Sequence, residues 1–324
     1  MIVSKTPYRL PLSGGGTDID FFYKKFGSRF LSASVSEYVY VILLERKLDQ
    51  NYMIQTSAVE FSKKVSGIKH NLIRETIKYF DIREKLQIST VSTIPTSTGL
   101  GSSSAMVVGL IKCISKFKSL NLTNKEIFKI AYKIERKICG FAGGWQDQIM
   151  STYGGFLDVI ISKKENFKIK KLQEKKIIKI VNKHFILVYS NVKRDSSDII
   201  YSQKKNLKNT FAYYKKIKSY NKSILKHFFN YDIKKIGIFL TNHWLLKKKL
   251  TKNMTGVKID QIFGKVQKID GFLGAKLIGA GGGGFFLVNV SEKKKAIKSL
   301  NREKLSYIDL KFERNGSKLI NLKN

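Results

Sequence analysis

Residues Pro95–Ala105, with the sequence PTSTGLGSSSA, stand between two segments of different hydrophobic pattern. The preceding residues Leu86–Val91 alternate between apolar and polar side chains, which predicts a strand, and the following residues Ser102–Phe117 have the apolar spacing of a helix. Glycines let a backbone approach a ligand closely, and the first turn of a helix offers free N–H groups at the positive end of its dipole. The segment therefore predicts a phosphate-binding loop.

The hydroxyl groups of this loop suit a nucleoside triphosphate with its metal ion. Serine hydroxyls can donate to phosphate oxygens and can ligate Mg²⁺, which prefers oxygen donors. The chain contains no glycine-lysine-serine or glycine-lysine-threonine sequence, so the site is not a Walker-type P-loop. A serine-capped helix after a glycine turn accounts for the same residues without any ligand. If the loop binds ATP, the expected contacts are Pro95, Thr98, Gly99, Leu100, Gly101, Ser102, Ser103 and Ser104.

The chain of 324 residues carries a formal net charge of +37. A charge of this size fits a nucleic-acid or membrane surface as a partner. The lysines are scattered over the whole chain, however, without a basic tail or an aromatic RNA-binding motif. We therefore expect solvated lysine-rich faces and no nucleic-acid partner. A non-catalytic nucleic-acid-binding protein stays as the alternative of a different class.

The cysteine and histidine content argues against disulfides and structural zinc. Cys113 and Cys139 lie far apart, and the four histidines form no pair spaced for zinc. The first residues, MIVSKTPYRL, lack the basic and apolar segments of an export signal, and no apolar run approaches the length of a bilayer span. We expect a cytoplasmic protein without a membrane partner.

The order of predicted elements indicates an α+β protein with two domains. Strands and helices mix without a regular β-α-β alternation, and the length exceeds that of a typical single domain. The lysine-rich segment Lys163–Lys179 is the expected boundary, which gives domains of residues 1–170 and 171–324. The predicted strands are Ile2–Pro7, Phe30–Val35, Val39–Leu44, Leu86–Val91, Phe156–Ile161, Phe185–Tyr189, Ala275–Ile278, Phe285–Val290 and Tyr307–Phe312. The predicted helices are Asn71–Phe80, Ser102–Phe117, Asn124–Cys139, Asp147–Tyr153, Asp198–Phe229, Asp232–Leu250, Lys258–Ile269 and Glu292–Asn301.

Two carboxylates follow the loop in the sequence. Glu135 lies on a predicted helix and Asp147 lies just after the glycine-rich break Gly140–Gly144, so both can reach the mouth of one site. Phosphoryl transfer uses such a pair, because one carboxylate can hold the metal ion while the other orients or deprotonates the attacking hydroxyl. Arg9, at the end of the first strand, could offset developing charge. Each also has an ordinary interpretation, as a helix surface residue, a helix cap or a surface cation.

Two further glycine clusters lie towards the two ends of the chain. Gly279–Gly284 formally contains the GxGxxG pattern of dinucleotide sites, but an apolar strand follows it where that pattern requires a helix. A tight hairpin, or a backbone wall against a ligand, fits better. Gly14–Gly16, followed by Thr17 and Asp18, allows the same two interpretations. Asp18 could instead merely cap the segment Ile19–Lys25.

Taken together and in this order, the three segments resemble the signature motifs of the GHMP kinases. Thr6–Asp18 (TPYRLPLSGGGTD) looks like the first motif, Pro95–Ala105 like the second, and Lys276–Gly284 (KLIGAGGGG) like the third. The resemblance implies an ATP-dependent small-molecule kinase that uses ATP and Mg²⁺. It also implies a two-domain α+β fold, with an N-terminal domain related to a ribosomal S5 domain and a ferredoxin-like C-terminal domain.

The resemblance implies roles for individual residues. Ser103, with Ser102 close by, and Glu135 match the Mg²⁺ ligands. Asp147 matches the catalytic aspartate, and Arg9 matches the catalytic cation of the sugar-kinase members. The expected partner is a sugar or sugar phosphate, bound by a monomer or homodimer. The expected substrate contacts are Gly14, Gly15, Gly16, Thr17, Asp18, Gly144, Gly281, Gly282 and Arg194.

Within the family, the forms of Gly14–Asp18, Gly143–Gln148 and Arg194–Ile200 look like the branch that phosphorylates the anomeric C1 hydroxyl of a heptose 7-phosphate. A substrate phosphate would also give some of the positive charge a use. The C-terminal domain of fucokinase shares the triple-glycine form and is the main alternative. Galactokinase resembles this chain less well, because it has glutamate and histidine after the first glycine. Arg9 and Asp147 argue against the mevalonate kinase and homoserine kinase branches, respectively.

Overall fold

The computed structural model describes residues 1–96, 98–192 and 196–321, and its strands form two β-sheets. The strands are β1 Ile2–Ser13, β2 Ser28–Glu45, β3 Tyr52–Gln55, β4 Val59–Ser62, β5 Leu86–Ser92, β6 Phe156–Ile161, β7 Phe167–Leu172, β8 Phe185–Tyr189, β9 Phe272–Leu277, β10 Phe285–Val290, β11 Tyr307–Asp309 and β12 Lys318–Ile320. The helices are α1 Asp20–Phe26, α2 Asn71–Tyr79, α3 Ser102–Phe117, α4 Asn124–Tyr132, α5 Gln146–Tyr153, α6 Lys175–His184, α7 Ser196–Lys205, α8 Leu207–Phe229, α9 Ile233–Lys248, α10 Val257–Gln267 and α11 Lys293–Arg302. The mixture is the α+β class that the element order predicts.

The long strands β1 and β2 form the centre of the eight-stranded first sheet. Its order is β12-β1-β2-β5-β3-β4, and β6 and β7 extend it beside the first half of β2. The predicted strand Ile2–Pro7 is too short, since β1 continues to Ser13 through register shifts at Pro7/Tyr8 and Pro11/Ser13. Such shifts accommodate prolines, which cannot donate to the ladder. As a result Arg9 lies within β1 rather than at its end.

Helix α3 packs across β1 and β2 and is buried on nearly every side. Gly109 permits the close approach, because a Cβ atom at this position would lie 2.7 Å from Ser4 Oγ and 3.0 Å from Thr6 Oγ1. The helix begins at Ser102, directly after the phosphate-binding loop predicted from the sequence. Packing against the sheet therefore fixes where the N-terminus of α3 points.

The second sheet has four antiparallel strands in the order β11-β8-β10-β9. Helix α9 packs against β9 and β10, and the contact is close because Gly237 of the helix faces Gly274 of the strand. The turn Gly279–Gly284 joins β9 to β10 as an antiparallel hairpin. The predicted strand follows the glycines, so the interpretation of this segment as a tight hairpin is confirmed.

Several predicted elements differ from the observed ones. The helix predicted over Asn124–Cys139 is α4 followed by a π-helical turn, Lys133–Ile138. The segment Asp198–Phe229 contains two helices that meet at Asn206, whose side-chain amide donates to the Leu250 carbonyl at 2.9 Å instead of facing solvent. The lysine-rich segment 163–179 forms β7, where lysines alternate with partly buried Phe167 and Ile169, and the start of α6, which buries Ile177. The domain boundary at 170/171 stays a prediction.

Candidate active site

A cleft of about 1210 Å³ receives residues from β1, β5, the Pro95–Ala105 loop, the π-helical turn, α5, α9 and β9. Both sheets therefore contribute to its wall. Many of the residues predicted for the site line it: Arg9, Gly15, Gly16, Asp18, Pro95, Gly99, Gly101, Ser102, Ser103, Glu135, Gly144 and Asp147. Positions far apart in the sequence thus converge on one cleft.

The other predicted site residues that the structure describes are not part of the cleft wall. Gly14, Thr17, Thr98, Leu100 and Ser104 are buried. Gly281 and Gly282 lie in the β9–β10 turn, where they pack against Met254 and Ile199. Arg194 lies outside the described residues. The roles expected for these residues stay predictions.

The loop before α3 depends on glycine for its conformation. Gly99 and Gly101 have φ values of 82° and 85°, in the left-handed region that favours glycine. Thr98 Oγ1 donates to the Pro95 carbonyl at 2.9 Å, which closes the turn that precedes them. The loop thus brings its backbone and the first serines of α3 to the cleft, as expected for a phosphate-binding site.

Glu135 accepts hydrogen bonds from three side chains and is fully buried. Ser103 Oγ donates to Oε1 at 2.6 Å, and Ser104 Oγ and Gln148 Nε2 each donate to Oε2 at 2.5 Å. The described residues contain no group of three or more acidic, histidine or cysteine side chains that could hold a metal ion. A cation here would take one carboxylate, serine hydroxyls and oxygens from the ligand and water, which is the kind of donor set that Mg²⁺ accepts.

Asp147 lies in the first turn of α5 and pairs with Arg9. Its Oδ1 atom accepts from Arg9 Nε at 2.8 Å and lies 2.7 Å from Arg9 Nη2. Arg9 Nη1 donates to the Gly99 carbonyl at 2.5 Å, which ties the pair to the loop before α3. The two residues predicted to act in phosphoryl transfer are therefore in direct contact beside that loop.

Arg136 lies next to both carboxylates and was not predicted from the sequence. Its Nη1 atom is 3.5 Å from Glu135 Oε1, and its Nη2 atom is 3.9 Å from Asp147 Oδ2. Gly143 makes room for the guanidinium, because a side chain there would collide with it. Consecutive residues of an α-helix point about 100° apart. Glu135 and Arg136 both line the cleft, because the turn that carries them is π-helical, a feature often found at functional sites. A prediction based on α-helical spacing therefore does not place the two side chains together.

Asp18 connects the first glycine cluster to the Asp147 segment. Its Oδ1 atom accepts from Gly16 N at 3.1 Å, and its Oδ2 atom accepts from Gln146 N at 2.9 Å. The interpretation of Asp18 as a cap is wrong, because α1 begins at Asp20 with no side-chain cap. Burial raises the pKa of Asp18, the backbone hydrogen bond from Gln146 opposes this, and the nearby charge of Asp147 adds to it. A side chain at position 144 would collide with Asp18 Oδ2, so Asp18 can occupy this position only while residue 144 is glycine.

Three basic residues on the opposite elements also line the cleft. His243 and Lys247 lie on α9, and Lys276 lies on β9. Lys276 belongs to the third motif, but no role was assigned to it. His243 and Lys247 lie outside all three motifs, so only the packing of α9 against β9 reveals them.

Comparison with known proteins identifies similar sequences among the kinases. Residues 68–155 match the family model described as "GHMP kinases N terminal domain". A D-glycero-α-D-manno-heptose 7-phosphate kinase from Campylobacter jejuni is 29% identical over 98% of each chain. A mevalonate kinase from Methanocaldococcus jannaschii is 33% identical over 71% of each chain.

Solved structures share the fold over the whole chain. A D-glycero-D-manno-heptose 1-phosphate kinase from Bacteriodes thetaiotaomicron matches with a TM-score of 0.83, 23% identity and complete coverage of both chains. A putative sugar kinase from Campylobacter jejuni matches with a TM-score of 0.74 and 26% identity over 98% of each chain. At such identities the first of these is similar in fold alone. The two sheets and their helices therefore have the arrangement found in these kinases.

Proposed function

Because the chain belongs to the GHMP kinase family of ATP-dependent kinases, we propose that its acceptor is D-glycero-α-D-manno-heptose 7-phosphate. The γ-phosphoryl group of ATP would pass to the anomeric C1 hydroxyl and give the 1,7-bisphosphate and ADP. A relative that is named as a kinase of this sugar phosphate aligns over 98% of both chains, which supports this choice of substrate. The observation that carries the chemistry is the Arg9–Asp147 pair beside the N-terminus of α3.

The loop and α3 form the nucleotide half of the proposed site. Backbone N–H groups at the start of a helix favour the phosphates of ATP, and the left-handed glycines keep side chains away from them. Ser102 and Ser103 lie at the cleft wall with hydroxyl groups suited to phosphate oxygens. These features favour a triphosphate in the loop without any lysine of the Walker type.

Glu135 and Ser103 are the proposed residues for the Mg²⁺ ion of the nucleotide. A carboxylate and a hydroxyl oxygen form a hard donor set, and phosphates and water usually complete the shell of this ion. When bound, Mg²⁺ would offset the negative charge that develops on the phosphates. Gln148 donates to the same carboxylate, so the protein orients Glu135 from behind.

Asp147 is the proposed base for the acceptor hydroxyl. Arg9 occupies its Oδ1 atom with two contacts, which leaves Oδ2, the oxygen nearer to Arg136, directed away from the Arg9 pair. In the proposed step the O1–Pγ bond forms, the bond from Pγ to the bridging oxygen of ADP breaks, and the hydroxyl proton passes to Oδ2. The Arg9 guanidinium stays beside the reacting groups and offsets their charge.

The substrate can be tested by measuring ADP release with a panel of acceptors. Heptose 7-phosphate, fucose, galactose and mevalonate would be compared at equal concentrations with ATP and Mg²⁺. The proposal requires the highest kcat/KM with heptose 7-phosphate. A preference for fucose or galactose would replace the substrate and keep a sugar kinase, whereas turnover of mevalonate alone would place the chain with its mevalonate kinase relatives.

A nucleic-acid-binding role remains the alternative of another class. The net charge of +37 is the observation that favours it. Tight nucleic-acid binding with a steep salt dependence, together with no ADP release on any acceptor, would favour that role over a kinase. The contacts among Arg9, Asp147 and the loop argue for the kinase, because nucleic-acid binding has no use for them.

A further inference from the structure

Gln146 is the residue before Asp147 and lines the same cleft. It is the first residue of α5, and its Cα atom lies about 3.8 Å from that of Asp147, as across any trans peptide bond. Its backbone N–H donates to Asp18 Oδ2 at 2.9 Å, which holds the start of α5 against the first glycine cluster. A ligand that brings a hydroxyl group to Asp147 therefore comes close to the side chain of Gln146 as well.

The side-chain amide of Gln146 is buried and lacks a hydrogen-bond partner at its nitrogen. The residue is 5% exposed, and its Nε2 atom has no partner among the described residues. Gln203, another buried glutamine in the cleft wall, is different, because its Nε2 donates to the Ala280 carbonyl at 3.0 Å and its Oε1 accepts from the Tyr214 hydroxyl at 2.8 Å. A buried donor without a partner is costly, so the amide of Gln146 calls for a partner that the described residues do not provide.

Gly15 faces the amide of Gln146, and neither its backbone nor its neighbours require glycine at this position. A Cβ atom at Gly15 would lie 3.6 Å from Gln146 Oε1 and 3.9 Å from Pro11 Cβ, which are ordinary van der Waals distances. Its φ value is not in the left-handed region, whereas Gly14 and Gly16 have φ values of 73° and 90°. Gly15 and Pro11 also line the cleft. The missing side chain at Gly15 therefore leaves space in the cleft beside the Gln146 amide.

A carboxamide beside this space suits a hydroxyl group of a ligand. The amide nitrogen donates, the amide oxygen accepts, and a hydroxyl group can do both. Oε1 is the atom of Gln146 that lies beside Gly15. A half-turn about the last side-chain torsion exchanges Oε1 and Nε2 without changing the shape of the side chain, so either atom can meet a hydroxyl group there.

The chemistry of the proposed acceptor identifies the hydroxyl group. Asp147 is the proposed base for the C1 hydroxyl, and C1 of a sugar ring is bonded to C2 and to the ring oxygen. Of these two neighbours only C2 carries a hydroxyl group. We propose that Gln146 selects the acceptor through a hydrogen bond to its C2 hydroxyl, in the space that Gly15 leaves open. The inference rests on the proposed function and makes it more specific.

The test combines two acceptors with two forms of the full-length chain. Heptose 7-phosphate and its 2-deoxy derivative are compared in the wild type and in Gln146→Met, which keeps the length of the side chain and removes the amide. We expect kcat/KM to fall by about 10- to 100-fold when either the hydroxyl or the amide is removed, and to fall little further when both are removed. KM for ATP should not change, and the thermal unfolding midpoint should not fall.

Gly15→Ala tests the space beside the amide. The added methyl group makes ordinary contacts in the protein, so the thermal unfolding midpoint should be kept, while KM for heptose 7-phosphate should rise by about tenfold. Gly264→Ala is the matched control, because Gly264 lies outside the cleft wall and has no atom within 4 Å of its would-be Cβ. An equal KM in the two variants would show that the acceptor does not occupy this space and would overturn the inference.

The outcomes for Gln146 and for the proposed function can be distinguished. Additive losses, or a wild-type kcat/KM for heptose 7-phosphate in Gln146→Met, would overturn the role of Gln146 and leave the proposed function standing. If fucose or galactose is the preferred acceptor, a non-additive loss with that sugar and its 2-deoxy form would uphold Gln146 and replace the heptose, whereas additive losses would overturn both. Mevalonate has no hydroxyl on the carbon next to its reacting end, so turnover of mevalonate alone would also overturn both.

Discussion

At the scale of single residues, the two oxygens of Asp147 have different surroundings. Oδ1 contacts two nitrogen atoms of Arg9, and Oδ2 faces Arg136 at 3.9 Å. A fixed carboxylate of this kind can receive a proton without having to reorient first. One oxygen pairs with Arg9 while the other stays available for a proton, so substitutions that remove the negative charge of Asp147 should have large effects.

We expect Asp147→Asn to reduce kcat by about 10²- to 10⁴-fold, because asparagine cannot accept the proton from the acceptor hydroxyl. KM for ATP should change little, since the contacts of the loop remain. Steady-state kinetics would measure both quantities. Asp158→Asn is the control, because Asp158 forms a similar pair with Arg29 away from the cleft. Near wild-type turnover in Asp147→Asn would rule out the residue as the base.

Arg136 can be tested in the same assay. Arg136→Gln removes the cation that faces Glu135 and Asp147, and we expect kcat to fall by about tenfold as the two carboxylates lose a fixed positive neighbour. Lys137→Gln changes the next residue along and should leave kcat unchanged. Equal kcat values in the two variants would show that Arg136 has no role in turnover.

At the scale of elements, the loop before α3 shows why some segments were predicted well. Its glycines and serines favour a turn and a helix start through local backbone preferences, so the strand, the turn and the helix can be predicted from the sequence alone. The continuous strand β1 was predicted as a shorter piece, because Pro7 and Pro11 end strands in most contexts. Strand β2 was predicted as two pieces on either side of the polar residues Ser36 and Glu37. Only their long-range pairing, with its register shifts, allows the strand to continue.

Gly101 provides a test at this scale. Gly101→Ala forces a side chain into a backbone with a φ of 85°, which costs about 1–2 kcal/mol of stability. Gly140→Ala is a close match, since Gly140 has a φ of 72° and no atom within 4 Å of its would-be Cβ. We expect both variants to lose similar stability in urea unfolding. Only Gly101→Ala should raise KM for ATP, and an equal KM in the two would contradict the role of the loop.

At the scale of the whole molecule, the site forms only where two sheets meet. Arg9 could be predicted because it lies in the first motif, and Glu135 and Asp147 because they flank the glycine-rich break Gly140–Gly144. His243 and Lys247 of α9 could not be predicted, because both lie outside the three motifs and have no local signal. Arg136 could not either, because the π-helical turn that presents it to the cleft departs from α-helical spacing. Sequence patterns thus predict the part of the cleft around the loop before α3 better than the part around α9.

The histidines give the whole chain a predictable dependence of stability on pH. Burial lowers the pKa of His70, His184 and His243 below the usual value of 6.5. The unfolded chain therefore binds more protons than the folded chain below about pH 6.5, so the free energy of unfolding should fall as the pH drops from 7.5 to 5.5. The raised pKa of Asp18 acts in the opposite direction, but for a single group.

Urea unfolding at several pH values would measure this slope. His70→Asn is an informative variant, because His70 caps α2 by accepting from Ile73 N, and asparagine can replace that acceptor without titrating. The variant should keep its stability at pH 7.5 and show a smaller decrease at pH 5.5. A free energy of unfolding that stays constant or rises on acidification would contradict the assignment of neutral buried histidines.

The turn Gly279–Gly284 of the second sheet contacts the loop before α3, and this contact has an evolutionary consequence. A side chain at Gly284 would collide with the carbonyl of Thr98, so the hairpin of the second sheet fits against the loop of the first only while position 284 is bare. A mutation to any larger residue there would displace the loop before α3 without changing the sequence of that loop. Substitutions in the two segments are therefore expected to be correlated among related sequences. In a chimera that joins one half of this chain to the other half of a distant relative, we expect this contact to be the first to be disrupted.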